Sequence, residues 1–206
     1  MALKAAPQPA PEIVVATPGT APAVRLLEAA VESFAEVGYH ATTTRSIAKR
    51  ARMSPAAVYV HYESKLDLLK LISKMGHEGA RETLETALAV EGTEKERIRA
   101  AIYAFARWHV DNQTTARVVQ YEYRHIPSRE REGIRRLRRR MQAAVAEVIA
   151  RGVGSGEFRT PDPSGAALAI VSMCVDLSRW YSEKETRSPD EIGELYSQIA
   201  LRILGC

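Results

Sequence analysis

From residue 22 onward, hydrophobic residues recur at intervals of three and four along nearly the whole chain, which is the spacing of one face of an α-helix. The first such stripe runs through Val24, Leu27, Val31 and Phe34. Gly38 follows it and predicts the end of the helix, because glycine readily takes the left-handed conformation of the residue after a helix. No run alternates apolar and polar residues as a half-buried strand does. The pattern therefore predicts an all-α fold.

The next segment predicts two short helices followed by a long one. Thr43 and Thr44 are both placed to cap a second helix. Ser54 stands directly before a proline, a cap and first-turn pair that predicts a third helix over residues 55–61. Ser64 predicts the cap of the long fourth helix. Three short helices joined by tight connections, then a long one, are typical of a helix-turn-helix domain.

The rest of the chain predicts five further helices, over residues 94–111, 113–125, 128–151, 163–181 and 189–204. Gly152, Gly154 and Gly156 predict the break after the third of these. The stretch from Ala166 to Leu177 is apolar on almost every side, so we expect that helix to be covered all round. The last two helices suit a four-helix bundle between two subunits, and an ordinary core leaves the same pattern. A homodimer is the expected assembly.

Composition and charge divide the chain into three parts. The 206 residues carry a net charge of +4, which mildly favours an anionic partner. Frequent prolines predict a disordered N-terminal arm over residues 1–21, and its single cation, Lys4, argues against DNA contact by the arm. A helix-turn-helix DNA-binding domain is expected over residues 22–68. A helical ligand-binding and dimerisation domain is expected over residues 69–206.

The sequence also predicts where the protein works. It has two cysteines, too few for a disulfide framework, and lacks an uninterrupted apolar run long enough for a membrane span. The N-terminus does not resemble a signal peptide, because prolines break up its apolar residues. We therefore expect a cytoplasmic protein associated with the nucleoid, without a membrane partner.

A basic segment precedes the third helix. Arg45, Lys49, Arg50 and Arg52 place four cations within eight residues and without an acid among them. The third helix then begins with small residues, which let a helix N-terminus approach a groove floor while its free N–H groups favour phosphate. The plain alternative for such a run is a solvated basic face over a core.

The same segment closely resembles the TetR family of repressors. The match runs without gaps from about Val24 to Leu69, through G-Y-x-A-T-T, I-A-x-x-A, S-x-x-x-V-Y-x-H-Y and S-K-x-x-L-L. The resemblance implies that residues 55–61 form a recognition helix, and that a homodimer leaves its double-stranded operator DNA when a small-molecule effector binds. It also implies operator contacts at Thr44, Arg45, Ser54, Ala56, Ala57, Tyr59, His61 and Lys65.

Arg52 departs from that family pattern, because glycine usually stands in the turn at this position. A left-handed backbone there would strain an arginine by roughly 1 kcal/mol. Two interpretations stay open: a slightly different turn, or an additional phosphate contact made by Arg52.

Aromatic and polar residues in the second half outline a ligand pocket between helices, although each of them also suits a packed core. The candidates are Tyr103, Trp108, His109, Tyr121, Arg124, Met141, Met173, Arg179 and Trp180. The segment Val175–Tyr181 resembles TetR repressors of fatty-acid or sterol catabolism that release DNA on binding acyl-CoA thioesters. The effector class we expect is acyl-CoA-like or another apolar metabolite.

A second basic cluster and several weaker patterns complete the picture. Arg135, Arg136, Arg138, Arg139 and Arg140 lie on one predicted helix, and we favour a solvated face over a site for CoA phosphates. The chain lacks a phosphate-binding loop after a strand, and its histidines lack metal-ligand spacing. We expect no enzyme activity, cofactor or metal. A ligand-independent DNA-binding or architectural protein is the alternative function, and the basic helix-turn-helix argues against a helical enzyme.

Overall fold

The structure is a computed structural model that describes residues 19–182 and 185–206. These residues form α-helices and two short 3-10 helices, with no strand among them, which confirms the predicted all-α fold. In chain order, α1 to α9 span Ala21–Ala41, Thr44–Arg50, Pro55–His61, Lys65–Leu88, Glu94–Asp111, Gln113–Tyr121, Glu132–Ser155, Pro163–Trp180 and Pro189–Ile203. Nearly all of the arm predicted over residues 1–21 lies outside the described residues.

Side-chain caps fix the helices of the N-terminal head, by which we mean α1 to α3. The Thr43 hydroxyl accepts from the Ser46 N–H at 3.0 Å, and the Ser46 hydroxyl accepts from the Thr43 N–H at 3.0 Å, so α2 begins with a reciprocal capping pair. Ser54 Oγ accepts the N–H of Ala57 at 3.3 Å at the start of α3. The bounds of α3 agree with the predicted third helix.

Two residues of the head have a left-handed backbone. Gly38, with φ of 78°, interrupts α1, and a short turn continues from it to Ala41. Arg52, with φ of 56°, lies in the turn between α2 and α3. The turn thus takes the left-handed form expected for a glycine, at a cost of about 1 kcal/mol for the arginine.

Two hydrophobic clusters form the core, and α4 belongs to both. Leu68 and Leu69, near the start of α4, pack with the apolar faces of the head and with residues from α6 and α7. Leu84 and Leu88, near its end, pack with α5, α7, α8 and α9. The predicted domain boundary between residues 68 and 69 therefore falls within α4, so the head and the sensor half share one continuous helix.

The structure corrects the predicted bounds of two helices. The sixth helix ends at Tyr121 instead of residue 125, and 3-10 turns follow it on either side of Pro127, which cannot continue a helix. The seventh helix begins at Glu132 and runs through Gly152 to Ser155, beyond the predicted end at residue 151. Gly152 lies within this helix, where a Cβ would lie 2.2 Å from the Phe158 ring, so the glycine makes room for an aromatic contact.

Part of α8 is exposed in this single chain, so the cover predicted on all of its sides is not supplied by this chain alone. Leu168 is 53% exposed, and Ile203 on α9 is 42% exposed. The opposite face of α8 carries Ile170 and Cys174, which are fully buried. None of the helices in the described part of the chain is both long and apolar enough to span a membrane.

Candidate DNA-binding surface and effector cavity

The exposed edge of α3 carries the residues expected to read DNA. Ser54, Pro55 and Ala56 are exposed at its start, with Ser54 also serving as the cap. Tyr59 is 61% exposed, and its hydroxyl lies 3.1 Å from Oγ1 of Thr44 on α2. This hydrogen bond holds the phenol across the groove between the two helices, where either hydroxyl can bond to phosphate.

Further surface residues extend this edge. Ala57 and His61 are half-buried along α3, and Arg45 is exposed at the start of α2. Val60 is 77% exposed, which leaves an apolar side chain beside the tyrosine. Sequence reasoning did not single out Val60, although an exposed valine on a recognition helix suits contact with a thymine methyl group.

The cations of the head differ in whether they form ion pairs. Arg50 turns back onto α1, where it pairs with Glu36 and lies 3.4 Å from Glu32, so these acids raise its pKa. Within the described part of the chain, Lys49 and Arg52 are exposed and make no ion pair. The basic run therefore presents fewer free charges than its sequence indicates.

Lys65, for which the resemblance implies an operator contact, is bound to the head within this chain. Its Nζ donates to the carbonyl oxygens of Tyr39 at 2.5 Å and Thr42 at 2.6 Å, and it lies 4.2 Å from the centroid of the Tyr39 ring. Burial lowers the pKa of this ammonium group. Lys65 thus ties the start of α4 to the end of α1.

A cavity of about 390 Å³ opens between α4, α5, α6, α7 and α8. Four of the predicted ligand residues line it together: Trp108, His109, Tyr121 and Met141. The wall is predominantly apolar, with a few polar groups, which is the usual character of a small-molecule site.

The other five predicted ligand residues lie elsewhere. Tyr103 faces a separate groove and donates to Asp190 on α9 at 2.6 Å. Arg124 and Arg179 line a shallow pocket near the end of α1. Met173 and Trp180 pack against the core. The spacing along each helix did not reveal which face turns toward the cavity.

Two histidines line the cavity in their neutral form. Nδ1 of His77 lies 2.7 Å from the Ser73 carbonyl oxygen, and Nδ1 of His109 lies 2.8 Å from that of Phe105. These contacts assign the proton to Nδ1 in each ring and leave Nε2 as an acceptor. Burial lowers the pKa of both histidines to about 4.

His77, Gln120 and Arg138 are cavity residues that sequence reasoning did not place there. The sequence did offer one indication for His77. It lies four residues after Ser73, and the two are polar residues on a face of α4 that is otherwise largely apolar. Arg138 was grouped with its neighbours as one basic cluster, although it lies on the inward side of α7. Among the described residues, no group of His, Cys, Asp and Glu is arranged to hold a metal ion.

The cavity wall leads directly to the head through α6. Tyr121 lines the cavity, and the next residue, Glu122, accepts the backbone N–H of Tyr39 at 3.1 Å. The same carboxylate lies 3.3 Å from Nε2 of His125, whose ring stacks on that of Tyr39 with centroids 5.2 Å apart. The end of α6 is therefore joined to the end of α1 by a hydrogen bond and by ring contacts.

Family models match both halves of the chain. The model described as bacterial regulatory proteins, tetR family, matches residues 26–72, and the model described as tetracyclin repressor-like, C-terminal domain, matches residues 91–204. The second match alone covers more than half of the chain, and the first covers the helix-turn-helix.

Known proteins agree with these matches. A bacterial regulatory protein in the tetR family from Rhodococcus RHA1 has a crystal structure with a TM-score of 0.86 and 38% identity, over 91% of this chain and 99% of that one. The fatty acid metabolism regulator protein of Bacillus subtilis (strain 168) is 26% identical over 66% of this chain and 70% of its own length. AibR, in complex with isovaleryl coenzyme A and operator DNA, shares the fold with a TM-score of 0.76 and 20% identity, over 86% of this chain and 97% of that one. The chain belongs to the TetR family of transcriptional regulators, which are DNA-binding proteins and not enzymes.

Proposed function

We propose that this regulator is a homodimeric repressor that leaves its operator when an apolar effector, such as an acyl-CoA, occupies the cavity between α4 and α8. The observation that carries the proposal is that α4 and α6 both line the cavity and both contact the head. An effector that moves either helix changes the position of α3 relative to its partner in the dimer.

The proposed direction of the response, release of the operator, is supported by the geometry of dimeric helix-turn-helix proteins. Two heads bind half-sites one or more turns of DNA apart, so a change in their spacing weakens binding to a fixed operator. The effector must bind the released state more tightly than the DNA-bound state, since a ligand with equal affinity for both shifts nothing.

The exposed apolar faces of α8 and α9 support the dimer. Ile203 is exposed in this single chain, as is Leu168, which also lines the cavity, and apolar residues exposed in a single chain are covered when two copies form a four-helix bundle. In the proposed dimer the two-fold axis also relates the two α3 helices, as an operator with two-fold symmetry requires. Such a dimer would act on the nucleoid in the cytoplasm.

The effector class rests on the cavity and on relatives. An aromatic and aliphatic wall with few polar groups suits an acyl chain. The B. subtilis relative is a fatty acid metabolism regulator, and AibR was crystallised with isovaleryl coenzyme A. An acyl thioester is accordingly the first effector to test.

The test is fluorescence anisotropy of the purified full chain on DNA from upstream of its own gene, with and without acyl-CoA thioesters of several lengths. We expect tight binding that at least one thioester weakens by 5- to 150-fold, the usual range of allosteric coupling. Tight binding that neither thioesters nor a broad panel of apolar metabolites disturb would favour the ligand-independent alternative. A reporter gene behind the same DNA separates repression from activation.

A further inference from the structure

Among the described residues, one cation reaches into the wall of the effector cavity. Arg138 on α7 lines it, and its Nε donates to Nε2 of His77 at 2.8 Å. Its Nη2 lies 3.4 Å from Oε1 of Gln120, and its guanidinium carbon lies 4.6 Å from the centroid of the Tyr123 ring. All three partners are uncharged, so none of them neutralises the guanidinium.

The neighbouring arginines on α7 are held differently. Arg135 and Arg139 bind Glu132 at 3.0 Å and 2.6 Å, and Arg140 binds Glu85 at 2.7 Å. Throughout the described ranges, no carboxylate lies within ion-pair distance of Arg138. Most arginines of the basic cluster are thus solvated and paired with acids. Arg138 instead points inward and has no counter-ion among the described residues.

The other groups of the cavity do not supply the missing negative charge. His77 and His109 are neutral, as their hydrogen bonds and burial require. Asp176 lines the cavity at its exposed rim, where both of its oxygens are bound by Arg179 at 2.7 Å and 2.8 Å. The lining therefore carries an uncompensated positive charge at Arg138.

A half-buried guanidinium without an anion is unfavourable. Burial lowers the pKa of Arg138, yet an arginine in a protein does not lose its proton, so the cost of burying the charge remains. That cost is offset when an anion binds, because a charge-assisted hydrogen bond in a partly dry site is stronger than the same bond in water.

We propose that Arg138 anchors an anionic head group, so that the effector is an amphiphile with a carboxylate or phosphate on Arg138 and an apolar tail along Phe105, Trp108 and Met141. The proposal rests on the proposed function, in which this cavity holds the effector. With Nε occupied by His77 and one N–H of Nη2 directed at Gln120, the remaining N–H groups of the two Nη nitrogens can bind a pair of oxygens. His77 keeps the guanidinium in that orientation.

Two sources of the anion fit this chemistry. A free fatty acid carries its carboxylate at the end of the tail, whereas an acyl-CoA has a neutral thioester there and carries its charge on phosphates farther along. Dodecanoate, dodecanoyl-CoA and the uncharged dodecanol share one tail and differ only in the head group, so they separate the sources.

The experiment is isothermal titration calorimetry of these three probes into the full chain and two variants. Arg138→Gln removes the charge while keeping a donor for His77. Arg136→Gln is the matched control, because Arg136 is exposed on the same helix and lines a different groove. Melting temperatures establish that each variant is folded, and Arg138→Lys restores the charge if the glutamine variant does not fold.

We expect at least one of the two anions to bind about 10- to 100-fold more tightly than dodecanol in the wild type and in Arg136→Gln. Arg138→Gln should lose this preference while binding dodecanol as the wild type does, and Arg138→Lys should keep most of it. Loss for dodecanoate identifies a carboxylate as the anion, and loss confined to dodecanoyl-CoA identifies a phosphate. Equal affinity for all three probes, or an undiminished preference in folded Arg138→Gln, would overturn the anchor.

Operator binding measured on the same samples separates the two proposals. If a probe binds through Arg138 but leaves operator affinity unchanged, the release mechanism fails and the anchor stands. If a probe releases the operator equally well from the wild type and Arg138→Gln, the anchor fails and the release mechanism stands.

Discussion

Glu122→Ala removes the hydrogen bond that joins the end of α6 to the head. Its carboxylate accepts the Tyr39 N–H at 3.1 Å, and both residues are half-buried, so the variant leaves that amide without its acceptor. A hydrogen bond to a charged group contributes about 1.5–3 kcal/mol. Typical coupling between two sites is about 1–3 kcal/mol, so this contact would account for most of the proposed communication if it is made in only one of the two states.

The assay measures operator affinity by fluorescence anisotropy with and without a saturating effector, and measures effector affinity separately on free protein. We expect Glu122→Ala to bind the effector with wild-type affinity while the effector-induced weakening of operator binding falls by about fivefold or more. The melting temperature should fall by about 3–12 °C, from the lost hydrogen bond and the usual scaling for a chain of this size.

Glu122→Gln is the matched control. Its amide oxygen still accepts from the Tyr39 N–H, although the charge beside His125 is lost. This variant should therefore keep most of the effector response. A folded Glu122→Ala variant with the full response would refute the reasoning, and would leave α4 as the route between cavity and head.

Three further predictions concern single side chains. Tyr59→Ala should weaken operator binding by about 1–3 kcal/mol in anisotropy titrations, and unchanged affinity would remove Tyr59 from the interface. Lys65→Ala should lower the melting temperature by about 2–8 °C, because it strips the carbonyls at the end of α1 of a donor, while leaving the salt dependence of operator binding unchanged. Lys49→Ala should do the reverse, with an unchanged melting temperature and a shallower salt slope, if this exposed cation contacts phosphate. His77 and His109 bind protons more weakly when folded, near pH 4 instead of 6.5, so the free energy of unfolding should decrease as pH falls from about 6.5 to 4. Each histidine contributes up to about 3 kcal/mol to that loss. Urea titrations at several pH values measure the free energy of unfolding, and its decrease at low pH should disappear when both histidines are replaced by glutamine.

The sequence predicted well those helices whose ends are set by a capping residue or a proline at the end itself. Ser54 and Ser64 each cap a helix as expected, and the bounds of α3, α5, α8 and α9 follow their caps and prolines closely. The end of α7 was wrong because Gly152 stays helical against Phe158, a contact between residues whose packing the local pattern does not show. A glycine in the sequence therefore does not by itself mark the end of a helix, because it can also lie within a helix where a neighbouring side chain packs closely against it.

The cavity was harder to predict because five helices contribute to it. Tyr103 and Trp108 lie on one helix, five residues apart, yet only Trp108 faces the cavity. The direction in which each helix turns is set by packing against its neighbours, and a single stripe of apolar residues does not identify which neighbour it meets. Arg138 shows the same limit, since its sequence neighbours are exposed arginines.

The position of Arg138 connects the proposed effector to the head by a second route, which runs through α4 instead of α6. His77, its partner, lies twelve residues after Lys65 on α4, which is about 18 Å along a helix. Lys65 holds the start of that helix to the carbonyls at the end of α1, and His77, near the middle of α4, holds the group that meets the anion. An anion that binds the Nη nitrogens shifts the guanidinium and, through its hydrogen bond to His77, changes the force on α4 within the cavity. Because a packed helix moves as a rigid element, that change is carried along α4 toward Lys65, and the response that remains in Glu122→Ala should be lost when Lys65 is replaced as well.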